Sequence, residues 1–340
     1  MKKRFTEEQI IGFLREADKG MRCRTLCIVS ILFVAGLGVF AMFAHDLANA
    51  RGRLVGRSSI LATSFGTLEY AEVGQGAPIL VVHGAAGGFD QALDMVGALA
   101  EQGHRLIAPS RFGYLRSSLP ARPTTAMQAD EYIELLDHLR IAKVDVVSIS
   151  AGEWSALQLA IRHPDRVRAL VLLVPADYLP PGMSIHGGAV VRAMINSDFI
   201  AWAVLKLMPV LPGGLSRMML GTDPAAVRAA DNAERARVQQ IVDHLLPVGP
   251  RVAGMNFDVA TAAAREPYAI EKITCPVLAI SAEDDRFGTA RRARLIVASV
   301  AIGQLIVFST GGHTLVGHMA DTVREGSAFL QAVSDRPPPN

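Results

Sequence analysis

From Ser58 onward, short apolar runs alternate with longer amphipathic stretches. Residues 60–63 and 67–73 read as strands joined at Phe65-Gly66, and 78–82 as an apolar strand ending at His83-Gly84. A helix over 88–102 follows, then a strand over 105–108, a helix over 125–139 and a strand over 144–149. Residues 151–163 read as a helix and 167–174 as a buried strand. The strand–helix–strand rhythm returns at 276–280, 289–300 and 304–308, before a last helix over 314–333. This alternation predicts an α/β fold: a mainly parallel central sheet with helices on both faces. Between Asp177 and Glu266 the rhythm breaks into a wholly helical stretch with Pro209, Pro212 and Pro247 as interruptions. The expected organisation is therefore a core formed by 58–177 and 267–334, with 178–266 inserted as a helical lid.

The N-terminal part has a different pattern. Residues 25–44 (TLCIVSILFVAGLGVFAMFA) carry no charge, and roughly 20 such residues suffice to cross a bilayer. This run is expected to be an uncleaved transmembrane helix, with the body outside the bacterial cytoplasmic membrane. Ala48-Asn49-Ala50 offers the alternative of signal cleavage and secretion. Basic residues flank both sides (Arg15, Lys19, Arg22, Arg24; Arg51, Arg53, Arg57), so the positive-inside bias is slight. Residues 1–24 form a basic, amphipathic extension. Ile10, Ile11 and Leu14 share a helical face, and Thr6 with Glu8 and Gln9 suggests an N-cap.

The stretch RFTEEQIIGFLREADKG resembles the start of insertion-sequence transposases, without the recognition helix that would enter a DNA groove. Such a segment implies a fusion by insertion, or a native start at Met21.

Chemistry centres on SISAGEWS, residues 148–155, at the end of the strand 144–149. A nucleophilic serine there must turn sharply out of the strand onto a helix N-terminus. Residues two before and two after must then be small. Gly152 meets this, and Ser148 meets it in size. Ser150 is thus the candidate nucleophile. His83-Gly84-Ala85-Ala86-Gly87-Gly88 follows an apolar strand, as an oxyanion loop must. Ala85 and Ala151 are the candidate N–H donors, with Ala86 the alternative to Ala85. It lacks the Gly-Lys-Ser/Thr ending of a phosphate loop. His313, after Gly311-Gly312, is the candidate base. His83 is expected to be structural, and His318 to point away. Asp285 is the candidate acid, Asp284 second and Asp177 third, one of the adjacent aspartates serving to cap the helix from Thr289.

Composition narrows the alternatives. Half of the 340 residues are hydrophobic and the formal net charge is +2, which gives no electrostatic case for a nucleic-acid partner. Of three cysteines, Cys23 and Cys27 lie near the apolar run and Cys275 in the body. No Cys/His grouping has metal-ligand spacing, so neither metal nor organic cofactor is expected.

Together, VVHGAAGGFDQ, APSRFGYLRSS, SISAGEWSALQLAIRHPDRVRALVLL, LAISAEDDRFGT and STGGHTLVGH resemble the α/β-hydrolase superfamily over residues 66–330. The resemblance implies a triad of Ser150, Asp285 and His313, with Ala85 and Ala151 as the oxyanion hole. It departs from the family at Ser148, usually glycine, and at Ser110, often aspartate, on the expected pocket rim. Serine at position 150, where some relatives carry aspartate, points away from epoxide hydrolase and haloalkane dehalogenase chemistry. An acyl-enzyme mechanism on an ester follows; the alternatives are a lactonase, thioesterase, carbon–carbon hydrolase or acyltransferase with the same triad, or a non-catalytic membrane-anchored ligand-binding module. The apolar stretch 199–208, with Met194, Met208, Met218 and Met219, suggests a small-to-medium apolar substrate group.

Overall fold

The computed structural model describes residues 6–178, 193–208, 213, 217 and 219–335, so Pro209, Pro212 and Met218 lie outside the described residues. The chain divides into two compact units, Met1–Asn49 and Ala50–Asn340. In the first, the amphipathic and apolar segments run together in a single helix, α1 (Glu7–Gly52). Its start is capped reciprocally. The Gln9 N–H donates to Thr6 Oγ1 at 3.4 Å, and the Thr6 N–H to Gln9 Oε1 at 3.1 Å. Among the described residues it is the one helix long and apolar enough to cross a membrane.

The second unit is built on an eight-stranded sheet ordered β1-β2-β4-β3-β5-β6-β7-β8. The strands are β1 (Ser59–Thr63), β2 (Gly66–Val73), β3 (Ala77–Val82), β4 (His104–Pro109), β5 (Val144–Ile149), β6 (Val167–Leu173), β7 (Val277–Ala282) and β8 (Gly303–Phe308). The pairs β1–β2 and β2–β4 are antiparallel; all others are parallel. The central strands are apolar on both faces. Leu80, Val82, Val144, Val146, Leu170 and Leu172 point to one core layer. Ile79, Val81, Val147, Ile149, Val171 and Leu173 point to the other. This is the two-residue alternation of a sheet covered on both sides.

The first layer is closed by α4 (Thr125–His138), α5 (Glu153–Arg162) and α10 (Thr289–Ser299). The second is closed by α2 (Phe89–Val96), α3 (Ala98–Glu101) and α11 (Met319–Ser334). Between β6 and β7 lie α6 (Asp198–Leu207), α7 (Pro224–Ala229), α8 (Asn232–Asp243) and α9 (Val252–Ala264).

Several boundaries differ from the sequence pattern. The helix expected over 88–102 breaks at Gly97, where α2 ends with the Gly97 N–H bonded to Leu93 O. The last helix begins at Met319, not Thr314, because Leu315 takes a left-handed φ of 49° that no helix continues through. A single 3-10 turn, Ser150–Gly152, precedes α5.

Candidate active site

In the sheet Val82 of β3 stands opposite Ser148 of β5. Both chains leave the sheet at the same end, so the loop after Val82 and the turn at Ser150 are neighbours by register. Ser150 has a left-handed φ of 49°, the strained conformation a sharp strand-to-helix turn imposes. A Cβ at Gly152 would stand 2.5 Å from Val82 O and 2.7 Å from His83 O, which explains the glycine two residues on. Ser148 is buried, and its hydroxyl has no hydrogen-bond partner among the described residues.

Ser150, His313 and Asp285 come from the ends of β5, β8 and β7. Ser150 Oγ lies 3.0 Å from His313 Nε2, and His313 Nδ1 lies 2.8 Å from Asp285 Oδ2. The carboxylate fixes the tautomer: Nδ1–H donates to Asp285, which leaves Nε2 to accept from the serine hydroxyl. Burial alone pushes the Asp285 carboxyl up. The facing His313, the Thr289 hydroxyl and the Phe287 N–H outweigh it and hold the pKa below the usual range. The Phe287 ring meets the imidazole edge-on at 4.8 Å.

Of the other candidate acids, Asp284 accepts the Gly312 N–H at 2.8 Å and so props the loop that carries His313. Asp177 pairs with Arg291 instead. Neither Asp284 nor Asp285 caps α10, whose N-cap is Gly288 without a side-chain bond. His318 stacks on Phe308 at 4.2 Å, away from the triad.

The loop after β3 is held peptide by peptide. Gly84 O accepts from His83 Nδ1 at 2.7 Å and from the Arg111 guanidinium at 3.1 Å. A trans peptide points its N–H opposite its C=O, so pinning Gly84 O turns the Ala85 N–H the other way. The next peptide is held at both ends: Gln91 Nε2 donates to Ala85 O at 3.3 Å, and the Ala86 N–H donates to Tyr114 Oη at 3.3 Å. Ala86, the alternative donor, is therefore engaged.

His83 is wholly buried, with its Nε2 accepting the Arg111 N–H at 2.9 Å. Burial, with Arg111 nearby, keeps it neutral, its pKa well below the ordinary value. Ser110 is not on a pocket rim. It is wholly buried, donating to Glu69 Oε2 at 3.0 Å and accepting the Phe89 N–H at 3.2 Å.

The pattern of apolar and polar positions did not single out the charged residues that fasten the β6–β7 insertion to this loop. Asp258 of α9 receives two bonds from Arg111, at 2.7 and 2.6 Å, and one from Tyr114 Oη at 2.5 Å. Arg251 donates to Asp90 at 2.7 and 3.2 Å and to Gly87 O at 2.5 Å. Both ion pairs are buried. The available signal was weak: isolated charges in an apolar helical stretch. Beside the elbow, Glu153 pairs with Arg292 at 2.5 Å, also buried.

Ser150 and His313 line a cleft of about 220 Å³ with Ala85, Met219, Leu245 and Phe287. Among the described residues no group of His, Cys, Asp and Glu is placed to hold a metal ion.

Residues 77–316 match the model of the alpha/beta hydrolase fold family. The chain belongs to the α/β-hydrolase family. It is similar to an uncharacterized hydrolase, YcgS, of Bacillus subtilis (strain 168), at 43% identity over 34% of this chain and 41% of the relative. It is also similar to the 2-hydroxymuconate semialdehyde hydrolase of Pseudomonas putida, at 38% over 35% and 43%. The matched stretch thus spans about two-fifths of each relative's length. Among solved structures, an alpha/beta hydrolase fold protein from Nakamurella multipartita superposes with a TM-score of 0.67 at 27% identity, over 81% of this chain and 99% of that one. Both the Bacillus subtilis and the Pseudomonas putida relative carry hydrolase names.

Proposed function

We propose that this α/β-hydrolase is a serine hydrolase that cleaves a carboxylic ester through an acyl-enzyme. The observation that carries the reading is the bonded chain Ser150–His313–Asp285 opening on a cleft. In this mechanism His313 takes the Ser150 proton as the oxygen attacks the ester carbonyl. The N–H groups of Ala85 and Ala151 hold the oxyanion, and His313 returns the proton to the departing alcohol. Water, activated by the same imidazole, then releases the acid. No metal or organic cofactor takes part. The helical insertion acts as the lid, and α1 anchors the chain in the cytoplasmic membrane with the hydrolase unit outside.

A second reading with the same triad is hydrolysis of a carbon–carbon bond in an oxo-acid; the Pseudomonas putida relative is named a 2-hydroxymuconate semialdehyde hydrolase. A cation in the cleft would favour the carboxylate of such a substrate. Among the described residues lining the cleft there is none, and this favours the ester. The test is labelling of the full chain by a fluorophosphonate, with Ser150→Ala as control, followed by ester and oxo-acid panels. An adduct mapped to Ser150 and absent from the variant is expected. A folded protein that leaves the probe unreacted would sink the reading.

A further inference from the structure

Beside the cleft of Ser150 lies a second cavity of about 160 Å³, lined by Met194, Ala201, Leu205 and Met255. It shares Ala86, Met219 and Leu245 with the Ser150 cleft, so the two adjoin along these residues. One charged residue, Arg251, is among its lining. That guanidinium is buried, its charge is met by Asp90, and four of its five N–H groups already have acceptors. Its Nε donates to Pro247 O at 3.1 Å, and its two amino groups serve Asp90 and Gly87 O. Among the described residues the chamber therefore presents mainly hydrocarbon and thioether surface. A carboxylate or hydroxyl entering it would lose its water for little replacement, whereas a methylene gains by the same transfer. The methionines give an adaptable wall suited to a flexible chain rather than one rigid shape.

We infer that this chamber is the subsite for an aliphatic chain of the ester, so that medium-chain substrates are preferred over acetyl esters. The inference rests on the serine-hydrolase reading for its attachment point. At roughly 30 Å³ for a water-sized group, the volume takes about five methylenes. Each is worth up to about fourfold in kcat/KM, and the gain ends when the chamber is full.

The experiment compares p-nitrophenyl acetate with p-nitrophenyl octanoate on the full chain and on two filling variants, Leu205→Trp and Ala201→Phe. In parallel, 1-octanol is titrated calorimetrically into Ser150→Ala with and without Leu205→Trp. In the wild type, kcat/KM for octanoate is expected to exceed that for acetate at least tenfold. The ratio should fall about tenfold or more in a filling variant that keeps its circular dichroism and melting profile. A wild-type ratio of one or less, or a ratio unmoved by both fillings, overturns the chamber. If neither ester is turned over, the titration decides. Octanol binding weakened by Leu205→Trp upholds the chamber and places the fault in the serine-hydrolase reading. Octanol binding absent, or indifferent to the filling, overturns it.

Discussion

Ser150 holds a left-handed backbone that costs a residue with a Cβ about 1–2 kcal/mol. That conformation was legible from the small residue at 152, because the crowding that excludes a side chain there comes from the adjacent strand. Ser148 was legible only as a size. Its buried hydroxyl, with no partner among the described residues, carries a desolvation cost that the sequence could not display. Ser148→Ala is therefore expected to stabilise the fold by about 1 kcal/mol in urea unfolding, with Ser150 labelling retained. Glu131 is another buried group without a sequence signal. Burial pushes its carboxyl up to about 8, against the weaker pull of hydrogen bonds from Thr63 and Gln128. The folded protein thus keeps this proton to about pH 8, while the unfolded chain releases it near its ordinary value. Stability from this group is full below about pH 4.5 and is lost as pH rises towards 8. Urea unfolding at pH 5, 6.5 and 8 should show a decline in the wild type that is flatter in Glu131→Gln.

Among elements, strands were read more closely than helices, for a physical reason. A buried strand announces itself by a continuous apolar run, as at Val144–Ile149, whose bounds agree with the expectation. A helix boundary depends on single backbone conformations, such as Gly97 or the left-handed Leu315. The pairing of Arg111 with Asp258 and of Arg251 with Asp90 was not legible at all, since each joins residues more than a hundred positions apart. These pairs give a prediction for the loop that carries Ala85. Tyr114→Phe deletes the acceptor of the Ala86 N–H and one donor to Asp258. It should lower kcat about tenfold with KM nearly unchanged, less than the 10²–10³ loss expected when an oxyanion donor itself is removed. Steady-state kinetics on one ester checks this; a change confined to KM would place Tyr114 in substrate binding instead.

Across the molecule, the alternating pattern was enough for the sheet and its two covering layers. Register then brings together residues 150, 285 and 313, which sequence shows only in order. Join and extent of the N-terminal segments were less legible, because amphipathic and apolar stretches obey the same helical period and merge in α1. If α1 anchors the chain, full-length protein from cells should stay with membranes through alkaline carbonate washing and keep residues 6–20 by N-terminal mapping. Recovery as a soluble species beginning near Arg51 would instead mark a cleaved signal. Arg251 and Asp258 belong to the segment inserted between β6 and β7, yet their partners Asp90 and Arg111 lie in the core beside the loop after β3. The inserted segment is thus riveted to the core by two buried ion pairs. Grafting in an insertion without counterparts of Arg251 and Asp258 would strand two buried charges on the core side, so such chimaeras are expected to need positions 90, 111 and 114 exchanged along with it.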